Sequence, residues 1–351
     1  MVENQNDVLR IGLLGCGPIA QFAHLPALAK ARRIQLTALC DAAEDLLQTI
    51  GRQTGVEQLY TSYDEMLTKA PIDAVLIAAA DAFHVPLATQ ALQAGKHVLV
   101  EKPLGITTAE CESLVELVQR TGLKLQVGSM KRHDPGIASA WRFIEEELGQ
   151  VLSVSGWYCD TLFRPALQEA LLPPIVHSKR KIAPRVDPKA DMRHYSLITH
   201  GAHLLDNLLY LGGPVSAVAV QYAEKFGQHT WHGLLEFAVG GLGHFELTVK
   251  VNADWSEGYR VYGEHGSVEV ETYLPFYHRP SRVRLFSARG ACWQTPLGAH
   301  SNAYKNQLEA FAAAVLDNQP TNPDASDGLA VVRLLEAIEK SVDEGRRVGI
   351  D

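Results

Sequence analysis

Six residues near the start of the chain, Gly15-Cys16-Gly17-Pro18-Ile19-Ala20, have the spacing of a dinucleotide-binding turn. They follow the mostly apolar run Leu9–Leu14, which is typical of a buried parallel strand, and they precede a helix-like stretch. Gly15 permits a tight turn, Gly17 lets the backbone approach a pyrophosphate, and Ala20 allows helix and strand to pack closely. Free N–H groups in the first helical turn then face the phosphate oxygens. The spacing therefore predicts a site for a dinucleotide pyrophosphate.

A single carboxylate, Asp41, supplies the second element of such a site. It follows the strand-like run Ile34–Cys40 and lies 24 residues after Gly17, close to the offset of about 20 that is expected. A carboxylate there accepts hydrogen bonds from the adenosine ribose hydroxyls and repels a 2′-phosphate. The next residue is Ala42, so no adjacent arginine can hold a phosphate. We therefore expect NAD in preference to NADP; the alternative is a strand-capping aspartate beside a surface turn.

A third candidate, Glu101-Lys102-Pro103, follows the strand-like run Lys96–Val100. Oxidation of a secondary alcohol needs a hydride acceptor, a base for the hydroxyl proton and a donor to the developing carbonyl oxygen. A lysine beside a positively charged nicotinamide loses its proton more readily than a free lysine, so Lys102 could relay protons. Glu101 could orient the cofactor or the lysine. The alternative is an exposed pair of charged loop residues.

These residues require a sheet to position them. Up to about residue 128, strand-like runs alternate with helix-like runs, which predicts a parallel sheet covered on both faces. The third strand is predicted at Ala74–Ala80 and a helix at Val85–Ala94, and Thr107 or Thr108 can cap a later helix. Loops at the carboxyl ends of such strands line one crevice, where ligands bind.

Beyond residue 128 the pattern changes to one of consecutive strands. Val151–Tyr158 alternates in polarity, and several β-rich runs between Val215 and Val270 carry turn signals, which predicts an antiparallel sheet. Helices are predicted at Leu197–Leu211, Tyr304–Leu316 and Asp327–Val342. Residues 160–194 contain five prolines and are predicted to form an irregular, functional loop.

Composition and charge argue against several classes of partner. The chain has 351 residues, which suits two domains, and its net charge of -8 argues against nucleic acid or an anionic membrane surface. The longest apolar run is too short to span a bilayer. Five cysteines without a C-x-x-C pair indicate a reducing compartment, and Met1–Asp7 carries no signal region. We expect a cytoplasmic enzyme and no metal site.

Three stretches together resemble the glucose–fructose oxidoreductase / inositol dehydrogenase / MocA family. They are Gly15-Cys16-Gly17, Ala94-Gly95-Lys96-His97-Val98 and Glu101-Lys102-Pro103. The resemblance covers nearly the whole chain. It implies an α/β fold with an N-terminal Rossmann domain, a doubly wound parallel sheet, at residues 1–128. It also implies a C-terminal α+β domain at 129–351 with a large open, mainly antiparallel sheet that binds substrate and forms a homodimer or homotetramer.

The same resemblance implies individual site residues. Lys102 is expected to be catalytic, and a cis Lys102–Pro103 peptide bond would help to aim it into the crevice. His84 is expected near the nicotinamide, although Ala80-Asp81 stands where the family usually has Thr-Pro before it. The predicted cofactor-binding residues are Gly15, Gly17, Pro18, Ile19, Ala20, Asp41, Ala79, His84, Glu101 and Lys102.

One catalytic position departs from the family pattern. The usual D-x-G-x-H signature is Thr199-His200-Gly201-Ala202-His203 here, so a threonine replaces the aspartate on the helical face of His203. Lys102 should therefore carry out a larger share of the proton transfer. Asp191 or His200 are the nearest groups in sequence that could compensate for the missing aspartate. The predicted catalytic residues are Lys102, His203 and Thr199, and the predicted substrate contacts are Arg132, His200 and His203.

Two basic stretches leave alternatives open. Arg132, in Lys131-Arg132-His133, lies where the chain passes between the predicted domains. It either contacts the substrate or only packs between the domains. The second stretch, His177-Ser178-Lys179-Arg180-Lys181, lies in the 160–194 loop. It is either a solvated run of charge or an anion site for a phosphate or carboxylate on the substrate.

The residues and the resemblance favour an NAD-dependent dehydrogenase that acts on the CH–OH group of a sugar, cyclitol or related polyol. Two alternatives remain. One is a glycoside hydrolase of the same fold that uses NAD transiently for oxidation, elimination and re-reduction. The other is a non-catalytic cofactor-binding sensor, suggested by the absence of an aspartate at position 199. Release of phenol from aryl glycosides without net NADH would identify the hydrolase.

Overall fold

A computed structural model describes residues 7–179, 190–298 and 301–350. These residues divide into two compact units. The first consists of residues 7–130, 172–179 and 304–329, and the second of 131–171, 190–298, 301–303 and 330–350. Two segments from the later part of the chain therefore fold with the first unit.

The strands, in chain order, are β1 Leu9–Leu14, β2 Ile34–Cys40, β3 Gln58–Tyr60, β4 Ala74–Ile77, β5 His97–Val100, β6 Leu125–Val127, β7 Val151–Thr161, β8 Val215–Lys225, β9 Gln228–Phe237, β10 Leu242–Val251, β11 Ser256–Gly263, β12 Gly266–Glu271, β13 Arg282–Ser287, β14 Cys292–Gln294 and β15 Val348–Gly349.

The helices are α1 Leu25–Leu28, α2 Glu44–Thr54, α3 Tyr63–Lys69, α4 His84–Gln93, α5 Thr108–Thr121, α6 Pro135–Phe143, α7 Arg164–Leu171, α8 Met192–Ser196, α9 Ala202–Gly212, α10 Ala303–Leu316 and α11 Ala325–Glu344. π-Helical turns at Ala20–His24, Ile144–Leu148 and Leu197–Gly201 adjoin α1, α6 and α9. Short 3₁₀ turns occur at Asp81–Phe83, Met130–His133 and Pro275–Tyr277.

The first unit is built on a six-stranded parallel sheet with the strand order β3-β2-β1-β4-β5-β6. Its central strands are buried on both faces because their residues are almost all apolar, as Ile11, Leu39 and Leu76 illustrate. The order reverses between β1 and β4, which places a ligand crevice at their carboxyl ends. The predicted doubly wound parallel sheet is therefore confirmed.

Details of this sheet differ from the sequence prediction. The strand predicted third, Ala74–Ala80, is the fourth, because the three-residue strand β3 precedes it and was too short and polar to stand out. It also ends at Ile77, so Ala79 lies in the following loop. The N-terminal cap of α5 is Thr107, whose side chain pairs with Glu110 in a capping box.

The second unit contains a nine-stranded sheet with the order β14-β13-β12-β11-β7-β10-β9-β8-β15. Its neighbouring strands pair antiparallel except for β7 and β10, which pair parallel, so the predicted mainly antiparallel sheet is confirmed. Alternate residues of the strands are buried beneath α6, α9 and the later part of α11. Strand side chains such as Trp231, Phe245 and Tyr259 form this core with leucines of α9.

The prediction of an irregular loop over residues 160–194 was wrong over part of its length. Strand β7 continues to Thr161, α7 occupies Arg164–Leu171, and α8 begins at Met192. Pro165 does not prevent α7, because it lies in the first helical turn, where its missing N–H needs no partner. Arg180 and Lys181 lie outside the described residues.

Candidate active site

The glycine turn of the first unit follows β1 as predicted. Gly15 has a φ of +96°, and a Cβ atom there would lie 2.5 Å from the backbone oxygen of Ala78, so only glycine fits. Gly17 is different, since a Cβ atom there would meet no atom within 4 Å. The backbone beside Gly17 is therefore accessible to a ligand group such as a pyrophosphate.

Asp41 is bonded to this turn. Its Oδ2 accepts a hydrogen bond of 2.7 Å from the backbone N–H of Cys16, and its Oδ1 accepts one of 2.8 Å from Ala43 N–H. A carboxylate has about four lone-pair positions, so these two bonds leave acceptor capacity for ribose hydroxyls. Asp41 thus shapes the glycine turn in addition to its predicted role toward the ribose, which stays a prediction.

Glu101 is paired with a residue that the sequence analysis did not select. His24, in the π turn before α1, lies with its Nε2 2.7 Å from Glu101 Oε1, and both side chains are nearly inaccessible to solvent. Glu101 Oε2 also accepts a hydrogen bond of 3.2 Å from the backbone N–H of Lys102. The carboxylate therefore orients the backbone at Lys102. The sequence offered one sign of this pair, because a histidine among the apolar residues of the first helix needs a polar partner.

The His24–Glu101 pair makes a pH dependence predictable. Burial by itself would raise the pKa of Glu101, but the hydrogen bond from His24 and the nearby charges of His24 and Lys102 outweigh it and lower the pKa below 4.5. Because the pKa of Glu101 is lower in the folded than in the unfolded chain, ionisation of this carboxyl stabilises the fold at pH values above its unfolded-state pKa. This stabilisation is lost as the pH falls through its folded-state pKa.

We expect Glu101→Gln to reduce the difference in free energy of unfolding between pH 7 and pH 4, because it removes this titration. Urea unfolding at the two pH values measures the effect. The control Glu44→Gln removes an exposed carboxyl from the same unit and should leave the pH dependence close to that of the unmodified chain. An equal pH dependence in Glu101→Gln and the unmodified chain would contradict the assignment.

His84 is fully buried and joins two loops of the crevice. Its Nδ1 lies 2.7 Å from the carbonyl oxygen of Pro103, and its Nε2 lies 3.1 Å from that of Ala79. The ring thus connects the loop after β4 with the loop after β5. The Lys102–Pro103 peptide bond is cis, which confirms the prediction. One connected cluster at the carboxyl ends of β4 and β5 contains Ala79, His84, Glu101 and Lys102. That His84 lies near the nicotinamide stays a prediction.

In the second unit, the predicted helix at Leu197–Leu211 begins earlier. Asp191 caps α8 by accepting the N–H of His194, and the chain continues through the π turn at Leu197–Gly201 into α9. π turns inside helices occur often at functional sites. Thr199, His200 and His203 are all partly exposed in this stretch. Asp191, one of the two groups expected to compensate for Thr199, is engaged as a helix cap.

A carboxylate other than Asp191 lies beside His200. Asp160 Oδ2 is 3.6 Å from His200 Nε2, and the hydroxyl of Tyr158 is 3.4 Å from His200 Nδ1. Arg164 donates to both Asp160, at 2.7 Å, and Tyr158, at 3.0 Å. Burial raises the pKa of Tyr158 to about 12, so its hydroxyl keeps its proton at neutral pH. This group of residues positions the His200 imidazole one residue after Thr199.

Arg132 is buried in the second unit. Its Nε and one terminal nitrogen donate to the Asp206 carboxylate at 2.8 to 3.1 Å, and its guanidinium lies 4.6 Å from the centre of the Tyr210 ring. Both charged side chains are 3% exposed. Direct contact between Arg132 and substrate stays a prediction, and this enclosed ion pair argues against it. The interpretation as packing, which the sequence left open, agrees better with the burial.

A second buried charge pair was not anticipated. Lys131 forms an ion pair with Glu257, and Glu257 also accepts a hydrogen bond from the hydroxyl of Tyr259, which in turn accepts one of 3.0 Å from Asn207. The Lys131 ammonium lies 5.0 Å from the centre of the Tyr158 ring. The sequence around Lys131 gave no sign of which carboxylate would bind it, because the partner lies 126 residues later in the chain.

Within the described ranges, none of the helices combines the length and apolar character needed to cross a bilayer. Among the same residues, no cluster of three or more histidine, cysteine, aspartate or glutamate side chains could hold a metal ion.

Comparison with known families agrees with this geometry. Residues 9–129 match the Gfo/Idh/MocA oxidoreductase family with an NAD-binding Rossmann fold, and residues 187–350 match the C-terminal alpha/beta domain of the same family. The chain belongs to the Gfo/Idh/MocA oxidoreductases. As a member of this family, it has its nucleotide-binding fold in the unit that carries the glycine turn, Asp41 and the Glu101–Lys102 cluster.

Several Gfo/Idh/MocA proteins are similar over their full length. The chain is 25% identical to inositol 2-dehydrogenase of Rhizobium meliloti, with 97% of this chain and 99% of the relative covered. It is also 25% identical to D-xylose 1-dehydrogenase (NADP(+)) 2 of Haloferax volcanii, with 98% and 100% covered. The structure of levoglucosan dehydrogenase in complex with NADH has the same fold, with a TM-score of 0.81, 21% identity and 98% and 99% covered.

Proposed function

We propose that this Gfo/Idh/MocA oxidoreductase is an NAD-dependent dehydrogenase that transfers a hydride between NAD and a carbinol carbon of a sugar, cyclitol or related polyol. The observation that carries the proposal is the connected cluster of Glu101, Lys102 and His84 at the carboxyl ends of β4 and β5, next to the switch point between β1 and β4. Full-length relatives named for inositol and D-xylose support the substrate class. Their substrates share secondary hydroxyl groups on a ring.

The residues of the first unit fit a dinucleotide. Gly15 lets the turn pack against the backbone of Ala78, where a Cβ atom would clash, and the open surface beside Gly17 leaves room for a pyrophosphate. Asp41 would accept hydrogen bonds from the ribose hydroxyls. The nicotinamide ring, when bound, supplies the hydride acceptor for alcohol oxidation.

The protein side of the proposed reaction is proton transfer. Lys102 takes the proton of the substrate hydroxyl, and His203 orients that hydroxyl or shares the proton. Glu101 fixes the backbone at Lys102, and the His200 imidazole is positioned by Asp160 and Tyr158. Thr199 contributes a hydroxyl but no charge. A panel of polyols and sugars followed by NADH absorbance tests the proposal.

Cofactor preference gives a sharper test. We expect the unmodified chain to have a higher kcat/KM with NAD than with NADP, because the Asp41 carboxylate repels a 2′-phosphate and Ala42 adds no positive charge. Asp41→Asn keeps an oxygen for the Cys16 N–H but removes the charge. It should shift the NAD/NADP ratio toward NADP by about tenfold, which corresponds to roughly 1.4 kcal/mol. An NADP preference in the unmodified chain would refute the assignment.

We also propose that the chain is a cytoplasmic homodimer or homotetramer that associates through the exposed face of the nine-stranded sheet. Leu234 and Leu242, on β9 and β10, are 66% and 65% exposed there, and Tyr262 on β11 is 48% exposed. Large apolar side chains close together on a sheet face favour association, since burial removes them from water.

A further inference from the structure

Residues 172–179, called the clamp segment below, fold with the first unit. Pro173, Pro174 and Ile175 line a groove of about 690 Å³ together with residues of α1 and α2. The start of the clamp segment therefore faces the same groove as the two helices that follow β1 and β2. In a sheet of this type, the turns before these helices hold the pyrophosphate and the adenosine ribose.

The first attachment of the clamp segment is to Gln21, directly after the glycine turn. The side-chain Nε2 of Gln21 donates to the carbonyl oxygen of Val176 at 2.8 Å, and Val176 N–H donates back to Gln21 Oε1 at 2.8 Å. The same Nε2 donates to the carbonyl oxygen of Cys16 at 2.9 Å. One amide group thus links the clamp segment to the glycine turn.

The second attachment is to Asp45, in the first turn of α2. Its carboxylate accepts a hydrogen bond of 2.7 Å from the hydroxyl of Ser178 and one of 2.8 Å from the backbone N–H of Lys179. Asp45 lies four residues after Asp41, which is itself bonded to Cys16 N–H. The backbone of Cys16 therefore makes two hydrogen bonds: its N–H donates to Asp41, and its carbonyl oxygen accepts from Gln21.

We propose that the clamp segment is an added part of the dinucleotide site that holds the adenosine half of the cofactor. Gln21, Asp45 and Ser178 act as positioning residues that keep the glycine turn and the Asp41 region at a fixed separation. This inference rests on the proposed dinucleotide-dependent function. It also gives the described part of the basic stretch, His177 to Lys179, a place beside the cofactor-binding helices instead of a role as a substrate anion site.

Binding of NADH and of ADP-ribose, which keeps the adenosine half and the pyrophosphate but lacks the nicotinamide ring, tests the proposal in the full chain. Asp45→Ala removes both bonds to the clamp segment and should raise the Kd of both ligands by about threefold to tenfold, the scale of one or two exposed hydrogen bonds. Ser178→Ala removes one bond and should have a smaller effect in the same direction. Asp45→Asn keeps one acceptor oxygen and should restore part of the affinity.

Asp64→Ala is the matched control, because Asp64 is also an acidic residue in the first turn of a helix, α3, of the same unit. It should leave the Kd of ADP-ribose unchanged. Unchanged affinity in both Asp45→Ala and Ser178→Ala, in a chain that binds both ligands when unmodified, would overturn this inference alone. Failure of the unmodified chain to bind either ligand would overturn the proposed function together with it.

Discussion

Replacing Lys102 with alanine is expected to lower turnover of a sugar or polyol substrate by about 10²-fold or more, the usual scale for loss of a general acid–base group. Lys102 lies at the carboxyl end of β5, where the Glu101 carboxylate accepts a hydrogen bond from its backbone N–H. The loop position is therefore defined by groups other than the lysine side chain. Its removal should affect proton transfer more than cofactor binding.

Steady-state kinetics with NADH absorbance measure this effect on the best substrate of the panel, and an NADH titration shows whether cofactor affinity is retained. His203→Ala should also be damaging. Thr199→Ala is the informative comparison, because a threonine hydroxyl carries no charge and the variant should be mild. If Thr199→Ala were as severe as Lys102→Ala, the proposed division of proton handling would be wrong.

Arg132→Ala is expected to destabilise the fold by about 3–5 kcal/mol, the cost of leaving one member of a buried ion pair without its partner. The Asp206 carboxylate is 3% exposed and accepts hydrogen bonds from Nε and from a terminal nitrogen of Arg132. Without the guanidinium, that buried carboxylate must stay charged without its cation or take up a proton. Both outcomes lower the free energy of unfolding at neutral pH.

Urea unfolding at pH 7 measures the loss. The double variant Arg132→Met/Asp206→Leu should recover much of it, because two apolar side chains of similar size can replace a buried ion pair at little cost. Arg347→Ala is the control, since the Arg347–Glu236 pair lies at the surface, and its effect should be much smaller. Equal losses in the buried and surface variants would show that the Arg132–Asp206 pair does not stabilise the unit.

Most of the fold and candidate site of the first unit could be predicted from local sequence patterns. The glycine turn and Asp41 were found from their spacing, because each needs a particular residue type next to a strand end. The role expected of Lys102 came from its position after a strand together with the resemblance to the family. The parallel sheet was confirmed for the same reason, and of the two predicted cap residues, Thr107 and Thr108, the structure shows Thr107. The strand β3 and helix α7 were missed, since one is only three residues long and the other begins beside a proline that suggested a loop.

The sequence by itself determined the glycine turn, the strand-to-helix order and the change to a mainly antiparallel sheet, because these follow from spacing within a few residues. Only the tertiary structure decided which charged groups meet. It paired His24 with Glu101, Arg132 with Asp206 and Asp45 with the clamp segment. A buried or fixed charge requires a partner, but any of many carboxylates satisfies that requirement in sequence. The fold selects one by bringing distant strands and helices together.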